Sequence, residues 1–208
     1  MTPRPVTRRL LLLFCAAATC AIAGAATGPA TASAALGIAC PNPTAQVFLP
    51  WGDSFNYALA PNGGFEQAAT GWALRGRAAV VSGSEPFRVA GGSGRHSLAI
   101  SAGGAATSPP ICIGLLSTRM RLFVRNTGDP AARLQVRAIY RGGLGEMLGI
   151  FDAGSIGAGG TWQPSQRFTL LGGVVPLLTQ SVEFRFSSPA PGSSWRIDDL
   201  YLDPLKHR

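Results

Sequence analysis

The chain has 208 residues, 46% of them hydrophobic and only 13% charged, with 18 Lys and Arg against 10 Asp and Glu for a net charge of +8. With 27 Gly and 16 Pro, this composition suits short strands joined by many turns and works against long surface helices. The basic residues are spread along the chain without the dense patch of a nucleic-acid binder, so no nucleic-acid partner is expected.

The N-terminus has the three-part pattern of a secretory signal peptide. Arg4, Arg8 and Arg9 precede an apolar run over 10–25, and Ala32-Ser33-Ala34 fits the small-residue cleavage pattern. Residues 1–34 are therefore expected to be removed, which places the mature protein in a secreted, extracellular location. The apolar run fades into Ala, Gly and Thr before the length of a spanning helix is reached. No later segment is apolar enough to span a bilayer, so the mature chain is expected to have no membrane span. Loss of the three arginines lowers the net charge from +8 to roughly +5. Such a charge leaves an anionic cell-wall polymer as a possible partner.

Cys15 and Cys20 leave with the signal peptide, while Cys40 and Cys112 remain. In an oxidising compartment an even pair is expected to form a disulfide. The loop between them is long enough that the bridge would add roughly 4 kcal/mol on the chain-entropy account.

Residues 35–61 are expected to be an irregular leader tied to the domain, and 62–208 a single domain. Strands are expected over 76–82 and 97–101, then over 120–125, where Met120, Leu122 and Val124 face one way and Arg121, Phe123 and Arg125 the other. After the turn Asn126-Thr127-Gly128-Asp129-Pro130, Leu134, Val136, Ala138 and Tyr140 alternate with Gln135, Arg137 and Ile139. These two strands are read as a hairpin. Further strands are expected over 167–171, 181–186 and 195–202. No helical periodicity or repeat is visible, and the fold class is all-β, an antiparallel β-sandwich.

Several motifs in order resemble the galactose-binding-like jelly-roll domains, among them the carbohydrate-binding modules of bacterial cellulases and xylanases. They are Asn62-Gly63-Gly64-Phe65-Glu66, Gly71-Trp72, Ser97-Leu98-Ala99-Ile100, Trp162-Gln163 and Trp195-Arg196-Ile197-Asp198-Asp199-Leu200. The resemblance implies a non-catalytic glycan-binding module in which first and last strands lie close together. It also implies a structural calcium held by carboxylates such as Glu66, Asp198 and Asp199. Phe65 and Trp72 are read as core aromatics. Trp51 and Tyr57, in the leader, are candidates for exposed aromatics.

A ligand face is expected from Arg121, Arg137 and Arg185, with Arg125 and Arg133 beside them and Tyr140 at a strand end. Such a face suits an acidic glycan, because Arg pairs carboxylates and phosphates. The alternatives are solvated arginines on a structural or adhesion domain without a small-molecule site. Gly52-Asp53-Ser54 resembles the nucleophile block of the G-D-S esterases. The late Asp203…His207 spacing is one residue too long for their D-x-x-H, and no α/β scaffold is visible. The segment is read instead as a turn with Asp side-chain bonding, the protein as no enzyme, and its state as a monomer.

Overall fold

The computed structural model describes residues 43–89, 91, 94–113, 119–170 and 179–203, all within one compact unit. The expected signal peptide, Cys40 and His207 lie outside the described residues. Strands dominate these, and the one helical element among them is a 3-10 turn at Leu49–Trp51. No described helix is long and apolar enough to cross a membrane.

Seven strands form the first sheet: β1 (Ala58–Leu59), β3 (Ala78–Ser82), β4 (His96–Ser101), β7 (Arg119–Asn126), β10 (Gln163–Pro164), β11 (Phe168–Thr169) and β13 (Ser194–Asp203). Its spatial order is β10-β7-β13-β4-β3, with β1 added to β13 and β11 to β7. The second sheet holds β2 (Ala73–Arg75), β5 (Gly104–Thr107), β6 (Ile111–Cys112), β8 (Leu134–Arg141), β9 (Met147–Ile156) and β12 (Ser181–Ser188). It runs β2-β5-β12-β8-β9, with β6 on β12. All pairings are antiparallel, and the chain passes repeatedly from one sheet to the other, as in jelly rolls.

Period-2 alternation builds the core. Met120, Leu122 and Val124 from β7 face Val136, Ala138 and Tyr140 from β8 and Val182, Phe184 and Phe186 from β12, all buried in one cluster. The expected hairpin between β7 and β8 is corrected here. β7 pairs with β13, β10 and β11, whereas β8 pairs with β12 and β9. The turn after Asn126 therefore crosses between sheets, because the apolar faces of β7 and β8 satisfy each other across the core and not side by side.

The first motif block ties the domain start to its last strand. Asn62 donates Nδ2 to Ala68 O (2.9 Å) and Thr70 O (3.0 Å), and Trp72 returns its indole N–H to Asn62 O at 3.1 Å. Phe65 and Trp72 are buried with ring centroids 4.8 Å apart, as core aromatics. A Cβ on Gly63 would come within 2.8 Å of Leu200 O, so β13 passes too close for any larger residue.

The leader is folded against the outer face of the first sheet. Phe48 and Tyr57 bury Phe123 and Tyr201, with Phe48 centroids 5.4 Å and 5.6 Å from those two rings. Tyr57 is thus fully buried and Trp51 half-buried, not exposed as expected. Arg121 fixes this layer: Nη1 donates to Asp53 Oδ2 at 2.8 Å, Nε and Nη2 donate to Ser165 O, and the guanidinium lies 4.5 Å from the Phe48 ring centre. Asp53 also accepts from the Tyr57 hydroxyl at 3.0 Å and the Phe55 N–H at 3.2 Å, the side-chain turn expected at Gly52-Asp53-Ser54. Burial alone would raise its carboxyl, but these hydrogen bonds and the Arg121 charge hold it below the usual carboxylate range.

Removing one partner of a buried pair strands the other charge. Arg121→Met should therefore lower unfolding stability by about 3 kcal/mol in urea melts, and adding Asp53→Asn should recover part of that loss.

Candidate functional site

Two regions carry the residues singled out in the sequence. The first is a knot of carboxylates where the 84–89 loop meets β13. A register shift between Asp198 and Tyr201 marks a bulge in β13, and Asp199 takes the left-handed region at φ 47°. Bulges re-aim side chains, and here Asp198 and Asp199 are both buried. Asp198 Oδ2 accepts from the Ser84 hydroxyl at 2.7 Å and the Glu85 N–H at 2.9 Å, and its Oδ1 accepts from the Asp199 N–H at 2.9 Å. The Asp199 carboxylate accepts none from the described residues, and a Cβ on Gly64 would sit 2.8 Å from its Oδ1.

Burial pushes both groups up to about 7, with Glu85 acting against each and Glu66 also acting against Asp199. The three bonds that Asp198 accepts oppose part of that rise, whereas for Asp199 the neighbouring Asp198 charge adds to it. Glu85, buried in the same knot, was not singled out in the sequence. Its carboxylate receives the N–H groups of Phe87 and Arg88, a local turn role that only the fold brings beside β13.

Glu66 lies further out. Its Oε1 accepts the N–H groups of Arg95 at 2.7 Å and His96 at 2.9 Å, and Oε2 stands 3.2 Å from His96 Nδ1. Desolvation opposes its charge, but these bonds hold it below the usual range. Among the described residues no three His, Cys, Asp or Glu side chains gather closely enough to hold a metal ion. The trio Glu66, Asp198 and Asp199 is therefore not a ready set of three side-chain ligands.

The second region is the outer face of the second sheet. Arg185 on β12 stands directly opposite Arg137 on β8, with Thr107 beyond Arg185 on β5 and Asp152 beyond Arg137 on β9. One row thus crosses four strands, about 14 Å at the usual strand spacing. The neighbouring row carries Ala105, Ser187, Gln135 and Ser155. Arg137 and Arg185 are exposed, and neither makes an ion pair or hydrogen bond with a described residue. On the same face Arg141 holds Glu183, with Nε 2.5 Å from Oε1.

The five-arginine face expected from the sequence does not assemble. Arg121 and Arg125 belong to the first sheet, whereas Arg133, Arg137 and Arg185 belong to or adjoin the second. Arg121 is buried in its pair with Asp53, so it presents no guanidinium to a ligand. Tyr140 points into the core, buried against Phe151 at 5.4 Å between centroids, and burial raises its hydroxyl. Ser54 is exposed, while the Asp53 before it is committed to Arg121 and Tyr57.

No protein-family model and no curated protein sequence matches the chain. Among solved structures, the enzymatically active domain of tailspike protein 4 from bacteriophage CBA120 is similar over 70% of this chain and 21% of its own, at 13% identity and a TM-score of 0.51. The CBM22-1 xylan-binding domain of Paenibacillus barcinonensis Xyn10C is similar over 66% of this chain and 88% of its own, at 14% identity and a TM-score of 0.45. A family 16 carbohydrate-binding module is similar over 69% of this chain and 98% of its own, at 16% identity and a TM-score of 0.47. Carbohydrate-binding modules are thus among the structural neighbours, the group that the sequence motifs resemble. At these identities the likeness concerns the fold alone.

The carboxylate knot makes stability depend on pH. A carboxyl whose folded pKa is raised binds more protons in the folded state between its unfolded and folded values, so stability falls as pH rises through that window. In chelator, the melting temperature should drop between pH 4 and pH 7 by more in the wild type than in Asp199→Asn. Equal slopes for the two proteins would show that Asp199 does not carry the effect.

Proposed function

We propose that this chain is an exported, non-catalytic β-sandwich module that binds an acidic polysaccharide or anionic envelope polymer across the outer face of its second sheet. The observation that carries the proposal is the Arg137–Arg185 pair. Like charges directly opposite on a sheet cost stability; of the described carboxylates on this face, Glu183 is held by Arg141, and Asp152 stands at the end of the row. A carboxylate or phosphate laid across both guanidiniums accepts charge-assisted, bidentate hydrogen bonds. Thr107, Gln135 and Ser187 add neutral hydrogen-bonding groups on the same face. No aromatic ring flanks the pair in its row, so the reading favours an anionic over a neutral, ring-stacked glycan.

The structural roles of Asp53 and Tyr140 agree with a non-catalytic module, and a β-sandwich lacks the α/β scaffold that the G-D-S esterases use. Export through residues 1–34 and a Cys40–Cys112 bridge belong to the same proposal. An intact mass equal to that of chain 35–208 less two hydrogens would support both.

A calcium ion at the carboxylate knot is part of the reading. The fit rests on Asp199, a buried residue whose carboxylate accepts no hydrogen bond from the described residues, beside the Asp198 carboxylate in a setting of oxygens that suits a hard cation. Asp199 would hold the ion together with main-chain carbonyls, and the ion would supply structural charge neutralisation. Added calcium is then expected to raise the melting temperature at pH 7.5 and much less at pH 5, where protons compete. No shift at either pH argues against an ion there.

For the polymer, affinity electrophoresis at low salt is expected to retard the protein in polygalacturonate and not in neutral xylan. Arg137→Gln with Arg185→Gln should weaken retardation about tenfold or more, since hydrogen bonds to charged groups contribute about 1.5–3 kcal/mol each. Wild-type migration unaffected by any polymer, or a double variant that binds as tightly, would overturn the proposal.

A further inference from the structure

A second pair of arginines stands on the opposite side of the sandwich, beyond the part of the first sheet that the leader covers. Arg196 on β13 is the register partner of Arg125 on β7. The Arg125 guanidinium lies 5.3 Å from the ring centre of Trp162. Its Nε is buried and donates to none of the described residues. Arg196 gives Nη1 to Ser82 O at 2.8 Å, which fixes the side chain beside its neighbour and leaves its other donors without a partner among the described residues.

The next outward-facing position on β13 is Ser194. Its hydroxyl accepts from Thr127 at 2.8 Å and lies 3.4 Å from the Ser101 hydroxyl. Two half-buried guanidiniums side by side repel one another, and Asp198, the outward position on the other side of Arg196, pairs with neither: its carboxylate is taken up by the Ser84 hydroxyl and the Glu85 and Asp199 N–H groups. Burial and the Arg196 charge both push Arg125 down, as expected where an anion is wanting. A buried N–H without an acceptor is rare in folded proteins and calls for an explanation.

We propose that Arg125 and Arg196, with Trp162 as the wall and the Ser194 hydroxyl cluster beside them, form a site for a single oxyanion group: sulfate, phosphate or carboxylate. The planar guanidinium fork matches such a group bidentately, and stacking on Trp162 holds the Arg125 fork in place. The site is separate from the Arg137–Arg185 face and goes beyond the polymer reading given above.

The test follows the arginine Nε–H resonances of the purified protein during titration with sodium sulfate. A saturable shift of the Arg125 Nε–H is expected. Arg196→Gln should weaken it about tenfold. Arg125→Lys, which keeps the charge and loses the fork, should weaken sulfate binding measured calorimetrically, with the melting temperature confirming that each variant folds. The Arg137→Gln, Arg185→Gln double variant should leave the shift unchanged, so failure here and failure of the polymer reading remain distinguishable. Dextran sulfate binding tighter than free sulfate, with neutral dextran silent, would assign the oxyanion to a polymer substituent; equal affinities would assign a free ion. A non-saturating shift, or one indifferent to Arg196→Gln, would overturn the site.

Discussion

The ion pair between Arg121 and Asp53 decides which surfaces this sandwich has. β7 and β13 carry Phe123 and Tyr201 on the side away from the core, so the first sheet alone would expose aromatic surface to water. The leader covers them with Phe48 and Tyr57, and Arg121 fastens the cover through Asp53, Ser165 and the Phe48 ring. Arg119 adds a further contact over Phe55, 3.9 Å from its centre. A buried charge pair of this kind contributes little net energy, yet it penalises every arrangement in which one partner is left alone. It thereby fixes the path of a leader that has almost no regular structure of its own.

With that cover in place the two outer faces differ. The first sheet is covered over Phe123 and Tyr201 on β7 and β13, and further along these two strands Arg125 and Arg196 lie outside that cover. No ring from the leader cluster reaches the second sheet, where Thr107, Arg185, Arg137 and Asp152 form a polar row across four strands. This division follows from where aromatics fall on alternate strand positions: outward Phe123 and Tyr201 on one sheet, outward Arg137 and Arg185 on the other.

Much of this was legible in the sequence, and the failures have physical causes. The alternation over β7 and β8 identified the inward residues correctly, because one buried face per strand imposes a period of two, whereas the bulge at Asp198 and Asp199 breaks that period in β13. It did not say which sheet each strand joins, since Met120 and Val136 are equally buried on either assignment. β9 was missed because Gly149, Asp152, Gly154 and Ser155 interrupt any apolar alternation at a sheet edge, and β2, β6 and β10, also missed, are two or three residues long. Arg121 and Arg137 look alike in sequence, outward arginines on amphipathic strands. Only the leader folding over β7 turns the first into a buried anchor and leaves the second exposed. Asp198 and Asp199 were found through motif resemblance, whereas Glu85 reaches them only through the 84–89 loop.

The central claim, that the uncovered face of the second sheet is where an anionic polymer lies, is tested most directly by amide chemical-shift mapping with an oligogalacturonate. The account predicts that perturbations concentrate on Thr107, Gln135, Arg137, Arg185 and Ser187, with the leader residues Phe48 and Tyr57 unmoved. Perturbations that leave Arg137 and Arg185 untouched while the oligomer binds elsewhere would contradict it.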